Sequence, residues 1–168
     1  MNYKSLIRDV PDFPISGVLF RDVSPLLQSA EAFQQVALDF AKLIDLKNVD
    51  VFAGIESRGF IFAAQMAAIF KKGFVPIRKA GKLPPPTIQE SYSLEYGTAT
   101  LEMVHASQKN QRVVICDDVL ATGGTLQAAI NLSAKAGYQV NDILVLINLT
   151  FLNQMKFRDS SVKSLIQY

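Results

Sequence analysis

A short apolar run near the middle of the chain gives way to a loop of small residues and then to a helical period. Residues 113–116 are Val-Val-Ile-Cys, residues 117–118 are Asp-Asp, and residues 121–125 are Ala-Thr-Gly-Gly-Thr. After this loop, apolar and small residues share one helical face: Leu126, Ala129, Ile130, Ser133 and Ala134. The pattern predicts a buried strand, a loop and an amphipathic helix. Because ligands bind beyond the carboxyl ends of strands in open α/β sheets, this loop is expected at a ligand site.

The rest of the chain repeats the alternation of strand and helix. Apolar runs predict buried strands at residues 49–54, 74–77 and 143–149, and a weaker alternation predicts an edge strand at 98–104. Helical spacing predicts amphipathic helices at residues 33–44, with Ser29 as N-cap, and at 60–70. This order of elements predicts one α/β domain with a central, mainly parallel sheet flanked by helices.

Two stretches depart from this alternation. Near the N-terminus, prolines and a glycine at residues 11–17 separate a short helix expected at 2–8 from an extended segment at 18–22. The second stretch, residues 80–97, has no regular pattern and contains three consecutive prolines at 84–86. A loop of this length inside a compact domain is usually a lid, a binding loop or a disordered segment.

Composition narrows the function classes. At 168 residues with 49% hydrophobic content, the chain is long enough for one domain with a substantial core. A formal net charge of +2 gives no reason to expect nucleic-acid binding. The single cysteine, Cys116, lies in an apolar strand and is expected to be buried and inert. No signal-peptide pattern or membrane-length apolar run is present, so a cytoplasmic protein without a membrane partner is expected.

The loop at residues 121–125 has the chemistry of a phosphate monoester site. Gly123 and Gly124 permit close backbone approach, the following helix directs N–H groups at an anion, and Thr122 and Thr125 add hydroxyl donors. The loop lacks the lysine of a triphosphate-binding P-loop. Asp117 and Asp118 would repel a phosphate in direct contact. They are expected either to accept hydrogen bonds from sugar hydroxyls or to hold a hydrated Mg²⁺.

A second loop, Glu56-Ser57-Arg58-Gly59, joins the strand at 49–54 to the helix at 60–70. Its arginine adds a guanidinium, which binds phosphate oxygens in pairs. Three more cations, Arg78, Lys79 and Lys82, follow the strand at 74–77. The position of these groups favours a polyanion site, although surface charges on solvated turns are the competing interpretation.

Residues 113–125 resemble the phosphoribosyl-pyrophosphate signature of the type I phosphoribosyltransferases. Further blocks resemble the adenine-specific branch of that family over nearly the whole chain. These blocks are residues 11–14 (Pro-Asp-Phe-Pro), 17–22 (Gly-Val-Leu-Phe-Arg-Asp), 56–60 (Glu-Ser-Arg-Gly-Phe), 81–84 (Gly-Lys-Leu-Pro) and 92–97 (Tyr-Ser-Leu-Glu-Tyr-Gly). The signature indicates the superfamily, and the order and spacing of the other blocks indicate adenine as the base.

The resemblance implies a type I phosphoribosyltransferase fold, with a small hood at about residues 1–28 and a flexible lid at about 80–97. It implies that Leu19, Phe20 and Arg21 bind adenine. The remaining roles that it implies are 5′-phosphate binding by Ala121, Thr122, Gly123, Gly124 and Thr125, and pyrophosphate binding by Ser57, Arg58, Gly59, Arg78, Lys79 and Lys82. Asp117 and Asp118 are then expected at the ribose or at water bound to Mg²⁺.

The implied reaction converts adenine and 5-phosphoribosyl-1-pyrophosphate to AMP and pyrophosphate, with Mg²⁺ as cofactor, in purine salvage. By the same resemblance, Glu95 in the lid handles a ring-nitrogen proton, and the peptide bond between Glu56 and Ser57 is cis. The family also implies a homodimer, with Arg78 or Lys79 at or close to the subunit contact.

Two alternatives share part of this pattern. A phosphoribosyltransferase for an oxopurine or orotate would share both phosphate loops and differ in the hood and lid. A regulator that senses phosphoribosyl pyrophosphate while binding nucleic acid would share the fold, but the sequence has no appended helix-turn-helix and it carries Glu95 in the lid.

Overall fold

The structure is a computed structural model and describes residues 1–94 and 97–168. Its strands are β1 (Arg8–Val10), β2 (Phe20–Asp22), β3 (Val51–Ile55), β4 (Gly73–Lys79), β5 (Ile88–Leu94), β6 (Gly97–Met103), β7 (Gln111–Leu120), β8 (Tyr138–Asn148), β9 (Lys156–Phe157), β10 (Ser160–Ser161) and β11 (Lys163–Gln167). Its α-helices are α1 (Ser24–Gln28), α2 (Ala30–Lys42), α3 (Gly59–Ile69) and α4 (Gly124–Lys135). Short 3₁₀ turns occupy Tyr3–Leu6 and Leu46–Asn48.

Within the described residues, the central sheet has the strand order β11-β8-β7-β3-β4-β6-β5. The strands from β11 to β4 pair in parallel, while β6 and β5 form an antiparallel hairpin along the edge next to β4. The prediction of an α/β domain with a central, mainly parallel sheet is confirmed. The parallel arrangement places the carboxyl ends of β3, β4 and β7 at one edge of the sheet, where ligands bind in such folds.

Successive residues of the inner strands face opposite sides of the sheet, so the sheet has two cores. Phe52 and Val114 pack with α2 and α3 on one side, through side chains such as Phe62. Ala53 and Ile115 pack with α4 on the other side. All five residues of β3 are buried, which is the continuous apolar pattern of a strand covered on both faces.

The N-terminal segment predicted as a hood contains a two-stranded sheet that is separate from the central sheet. Strands β1 and β2 pair antiparallel, with Asp9 opposite Arg21 and Val10 opposite Phe20. The extended segment predicted at residues 18–22 is confirmed for Phe20–Asp22. Next along the chain, Ser29 caps α2 as predicted, since its hydroxyl accepts a hydrogen bond from the amide of Ala32 at 3.2 Å.

The prediction of one irregular segment from residue 80 to 97 is wrong for its second half. Residues 88–94 form strand β5, and the residues of that strand face two ways. Gln89, Ser91 and Ser93 are exposed, while Ile88 and Tyr92 pack on the core beneath α4. The sequence of β5 does not show the alternation of apolar and polar residues that is typical of a strand. The inward position between Ile88 and Tyr92 is the charged residue Glu90, which forms an ion pair with Lys135 of α4.

Candidate active site

The two predicted loops meet in one cleft. The loop after β3 and the loop after β7 leave neighbouring parallel strands at the same edge, since Gly54 is in register with Cys116. Together they enclose a cleft of about 400 Å³. Its lining residues are Ile55, Glu56, Ser57, Arg58, Asp117, Asp118, Val119, Ala121 and Thr125. Residues that are about sixty positions apart in sequence therefore share a single site.

The loop at residues 121–125 has the backbone geometry of an anion site. Gly123 adopts a φ of 91°, which disfavours any other residue, and it caps the start of α4. The first intrahelical bond at this end runs from the amide of Gln127 to the carbonyl of Gly123 at 2.9 Å. The amides before Gln127 therefore lack helical acceptors and point toward the loop. A small cavity of about 90 Å³ lies within the loop.

Glycine at position 59 serves the packing that builds the cleft. Gly59 is buried, and a Cβ atom there would lie 2.6 Å from the carbonyl oxygen of Cys116 and 3.0 Å from a carboxylate oxygen of Asp117. Gly54 is equally constrained, because its Cβ would lie 2.8 Å from the carbonyl oxygen of Gly59. These two glycines let α3 begin directly against β7, which brings Ser57 and Arg58 next to the aspartates. The role of Gly54 was not predicted from the sequence.

The peptide bond between Glu56 and Ser57 is cis, as predicted. The side chain of Glu56 turns toward β4, where its two oxygens accept hydrogen bonds from Arg78 Nε and Nη2, each at 3.2 Å. One of these oxygens also accepts the amide of Lys79 at 3.0 Å. The Arg78 bonds are the main cause that holds the pKa of Glu56 below its usual range. Sequence reasoning missed this pair because it joins the loop after β3 to the end of β4 through the register of the two strands.

Arg58 reaches the carboxylate pair from the opposite loop. Its Nε lies 2.7 Å from Asp118 Oδ2, an ion-pair distance. The N–H is not directed at that oxygen, and Asp118 Oδ2 is a buried acceptor without a hydrogen-bond partner among the described residues. The Asp117 carboxylate accepts the amide of Asp118 at 2.9 Å. A buried carboxylate oxygen that faces a cleft without a donor is suited to accept one from a ligand.

The electrostatics of the two aspartates are unusual for surface carboxylates. Burial raises the pKa of Asp117 well above its usual range, and the neighbouring Asp118 carboxylate raises it further. Burial also raises the pKa of Asp118, although Arg58 opposes that shift. Perturbed carboxylates in a cleft are typical of functional sites.

The hood approaches the cleft through Phe20. The guanidinium carbon of Arg58 lies 4.8 Å from the centre of the Phe20 ring, and the Phe13 ring packs edge-on against Phe20 at 5.1 Å. Leu19 is 45% exposed. The side chain of Arg21 instead forms an ion pair with Asp9 and lies over the ring of Tyr168.

The predicted cations have different surroundings. Arg78 is bound to Glu56 and also donates to the carbonyl of Lys82 at 3.0 Å. Lys79 and Lys82 are exposed. The amides of Lys82 and Leu83 donate to the buried carboxylate of Glu102 at 2.6 and 2.7 Å.

Glu102 is 1% exposed and anchors the backbone at Lys82 and Leu83, in the segment that the sequence predicts as a lid. Burial acts to raise its pKa, but bonds from the amides of Leu83, Lys82 and Gly81 outweigh burial and the pKa is lowered. The sequence analysis did not single out Glu102. Its position between Leu101 and Met103 in a predicted strand could have indicated a buried carboxylate.

The β5–β6 hairpin lies against α4, the helix that follows the loop at residues 121–125. The Tyr92 hydroxyl is 3.3 Å from the Thr125 hydroxyl, and Glu90 contacts both Lys135 and Asn131 of α4. The predicted catalytic residue Glu95 lies outside the described residues, between β5 and β6.

Other candidate chemistry finds no support in residues 1–94 and 97–168. These residues contain no group of three or more His, Cys, Asp or Glu side chains placed to hold a metal ion. Cys116 is buried as predicted, and burial raises the pKa of its thiol. None of the described helices has the length and hydropathy needed to cross a membrane.

Comparison with known proteins gives consistent matches. The family model for the phosphoribosyl transferase domain matches residues 22–164. An adenine phosphoribosyltransferase of Bdellovibrio bacteriovorus is 64% identical over 168 residues, which cover 100% of both chains.

Two solved structures match the fold as well. The adenine phosphoribosyltransferase of Thermoanaerobacter pseudethanolicus superposes with a TM-score of 0.92 at 43% identity, covering 99% of this chain and 98% of that one. The enzyme of Saccharomyces cerevisiae was solved in complex with an imino-altritol bisphosphate and adenine. It superposes with a TM-score of 0.84 at 32% identity, covering 98% of this chain and 95% of that one.

Proposed function

The chain belongs to the adenine phosphoribosyltransferase family, and on that premise we propose how its cleft converts adenine and 5-phosphoribosyl-1-pyrophosphate to AMP and pyrophosphate. The observation that carries the proposal is the convergence of two anion-binding loops and two aspartates on one cleft of about 400 Å³. A phosphoribosyl pyrophosphate has a phosphate at one end, a diphosphate at the other and hydroxyls between them. The cleft offers groups of matching chemistry in the same order.

The reaction replaces one bond to the anomeric carbon of the ribose by another. The bond from this carbon to the pyrophosphate oxygen breaks, and its electron pair leaves with pyrophosphate. A ring nitrogen of adenine supplies the electron pair of the new bond and gives up its proton. Positive charge develops on the ribose and negative charge on the leaving group, so positioning and electrostatics carry most of the acceleration.

The loop at Ala121–Thr125 holds the 5′-phosphate. Its support is the positive φ of Gly123, the free amides at the start of α4 and the hydroxyls of Thr122 and Thr125. Binding at this end fixes the ribose at a set distance from the opposite loop.

The pyrophosphate lies against Ser57 and Arg58, with the exposed ammonium groups of Lys79 and Lys82 at the base of the lid. Arg58 reaches this ligand by exchanging its poorly directed contact with Asp118 for phosphate oxygens. Arg78 contributes charge while it stays bound to Glu56, and Gly59 allows the close approach of the loop.

Asp117 and Asp118 accept hydrogen bonds from the ribose hydroxyls. Their carboxylates also suit Mg²⁺, which prefers oxygen ligands and usually keeps several waters beside one or two protein carboxylates and substrate phosphates. The lone acceptor Asp118 Oδ2 supports such a water-mediated role. When bound, Mg²⁺ neutralises charge on the pyrophosphate.

The base lies under the hood, between Phe20 and the ribose. In an extended segment the main-chain groups of residues two apart point the same way, so Leu19 and Arg21 present a carbonyl and an amide to the edge of the ring. Adenine offers an N–H donor beside a ring-nitrogen acceptor, and it matches that pair. Hypoxanthine and guanine offer the reverse polarity.

Glu95 accepts the ring-nitrogen proton when the lid closes, as the family resemblance implies. The lid also excludes water, which competes with adenine as a nucleophile. The contact of Tyr92 with Thr125 supports a lid that lies against the phosphate loop.

The protein works as a homodimer in this proposal, with Arg78 or Lys79 at or close to the subunit contact. The support is a set of exposed apolar side chains on α3 and β4, at Ile61, Ile69 and Phe74. Sedimentation equilibrium at assay concentrations tests this point, and a monomer at every concentration would contradict it.

A turnover assay with adenine, hypoxanthine, guanine and orotate tests the proposed function. Unpaired polar groups cost about 1–3 kcal/mol each, so two mismatched contacts predict a kcat/KM for adenine about 10²–10⁴-fold above that for hypoxanthine. Similar values for adenine and hypoxanthine would contradict the assigned base. Absence of turnover with every base would contradict the enzyme assignment itself.

A further inference from the structure

Two cationic side chains lie over the ring of Tyr168. The guanidinium carbon of Arg21 lies 3.9 Å from the ring centre, and the ammonium nitrogen of Lys4 lies 4.8 Å from it. The Arg21 side chain is only 12% exposed and also forms an ion pair with Asp9 across the hood sheet. An arginine with its face on an aromatic ring and its donors on a carboxylate has a defined orientation.

Tyr168 itself is fixed to the central sheet. Its amide donates to the carbonyl of Asn148 at 3.1 Å, and its main-chain oxygen accepts from the amide and the hydroxyl of Thr150 at 2.9 and 2.6 Å. The preceding residue, Gln167, pairs in register with Asn148 at the end of β8. The ring under Arg21 is therefore part of the rigid sheet and not part of the hood.

Strands β1 and β2 form a sheet of their own, which within the described residues is not paired with the central sheet. The Arg21–Tyr168 contact joins strand β2 to the sheet on the side away from the cleft. At the adjacent residue, Phe20 lies against Arg58 on the cleft side. The two contacts hold consecutive residues of β2 from opposite directions, which fixes the rotation of the strand about its own axis.

We propose that Tyr168 is a positioning residue for the base. By holding the Arg21 side chain away from the cleft, it directs the main chain of residues 19–21 at the edge of adenine. This inference rests on the proposed function, in which that main chain binds the base. Tyr168 is not among the described residues that line the cleft, so its loss should weaken the use of adenine and leave the phosphoribosyl end of the site intact.

Steady-state kinetics of Tyr168→Leu and Tyr168→Phe test the proposal. Loss of a cation–π contact corresponds to about 3–30-fold in an equilibrium constant, so Tyr168→Leu should raise the KM for adenine by that factor. Its KM for phosphoribosyl pyrophosphate and its kcat should stay within about twofold. Tyr168→Phe keeps the ring and should restore the wild-type KM for adenine.

Phe157→Leu is the matched control, because it removes the ring beneath Arg158, an arginine–aromatic contact of the same kind outside the hood. It should leave the KM for adenine unchanged. An unchanged KM for adenine in Tyr168→Leu would overturn the proposal, as would an equal rise in both KM values. Failure of the unmodified protein to use adenine would instead overturn the proposed function.

Arg21→Ala keeps the Tyr168 ring and covers the case in which Tyr168→Leu folds poorly, and where both variants fold it completes a double-mutant cycle. Arg21→Ala alone should raise the KM for adenine by a similar factor without a switch of preference to hypoxanthine. If the two residues act as one unit, the double variant should be no worse than the poorer single variant. Multiplicative effects of the two substitutions on this KM would overturn the proposal.

Discussion

Strands β3 and β7 carry an aspartate–arginine pair at each of their two ends, and the two pairs differ in how well they are satisfied. At the amino ends, Asp50 accepts three hydrogen bonds from Arg112, at 2.8 Å from the amide, 2.9 Å from Nε and 2.6 Å from Nη2. At the carboxyl ends, Arg58 lies 2.7 Å from Asp118 without a directed hydrogen bond.

The two aspartates accordingly have opposite pKa shifts. Hydrogen bonds from Arg112 lower the pKa of Asp50 to about 2, whereas burial raises the pKa of Asp118. A saturated pair stabilises the fold, while an unsaturated pair in a cleft still has hydrogen-bonding capacity for a ligand. We therefore propose that the fully hydrogen-bonded pair has a structural role and that the incompletely hydrogen-bonded pair binds a ligand.

The largest effect should come from Glu95, the residue proposed to accept the ring-nitrogen proton. Glu95→Gln should lower kcat by about 10²–10⁴-fold, the usual cost of losing general acid–base help, with little change in the binding of phosphoribosyl pyrophosphate. Glu90→Gln is the matched control in the same hairpin, because Glu90 contacts Lys135 and Asn131 of α4. Near-normal turnover of Glu95→Gln would remove that residue from the chemistry.

Asp117→Asn should separate activity from stability. The change should lower kcat/KM by about 10–100-fold through weaker bonds to the ribose, since bonds to charged groups contribute about 1.5–3 kcal/mol. It should also raise the midpoint of thermal unfolding, because the folded state disfavours the charged form of Asp117. Each kcal/mol gained corresponds to about 2–4 °C in a domain of this size.

The pH dependence of that gain follows from the direction of the shift. The folded-state pKa of Asp117 is raised. The loss of stability caused by its charge is therefore absent below the ordinary pKa of 3.8, and it grows as the pH rises toward the folded-state pKa. Thermal unfolding of both proteins at pH 4 and pH 7 measures it. A lower midpoint for Asp117→Asn at pH 7 would contradict the inference that burial disfavours the charged form of Asp117 in the folded state.

Asp50→Asn should have the opposite signature and the smallest effect. The Asp50 side chain is 35% exposed, so solvent screening limits the expected loss to about 1–2 kcal/mol of unfolding free energy. Its pKa is lowered, so this stability is present above the ordinary value of 3.8 and is lost as the pH falls toward 2. Denaturant unfolding at several pH values measures the loss, and a fall in kcat/KM of more than about twofold would contradict a purely structural role.

The sequence predicted the parts of the site that depend on local pattern. The strand at 113–116, the loop at 121–125 and the following helix are recognisable because apolar runs, glycines and helical spacing lie within one short stretch. Apolar runs and helical spacing elsewhere in the chain predict the other elements in the same way. The predicted ends of β3 and α3 lie within about two residues of those in the structure.

The contacts that orient these parts depend on register and could not be predicted. Glu56 meets Arg78, and Tyr168 meets Arg21, only because particular strands lie side by side. Strand β5 was missed because one of its inward positions is a glutamate with a partner on α4, which breaks the apolar alternation. The first residues of β8 were missed because Gln139, Asn141 and Asp142 are polar.

The shift in thermal midpoint on adding phosphoribosyl pyrophosphate and Mg²⁺ tests the functional difference between the two ends most directly. Measured on the unmodified protein, Asp118→Asn and Asp50→Asn, it reports ligand binding to the folded state without requiring turnover. Equal, positive shifts are expected for the unmodified protein and Asp50→Asn, with a much smaller shift for Asp118→Asn. An unreduced shift in the thermal midpoint of Asp118→Asn would contradict the assignment of ligand binding to the carboxyl ends of β3 and β7. Loss of the shift in Asp50→Asn would contradict it as well.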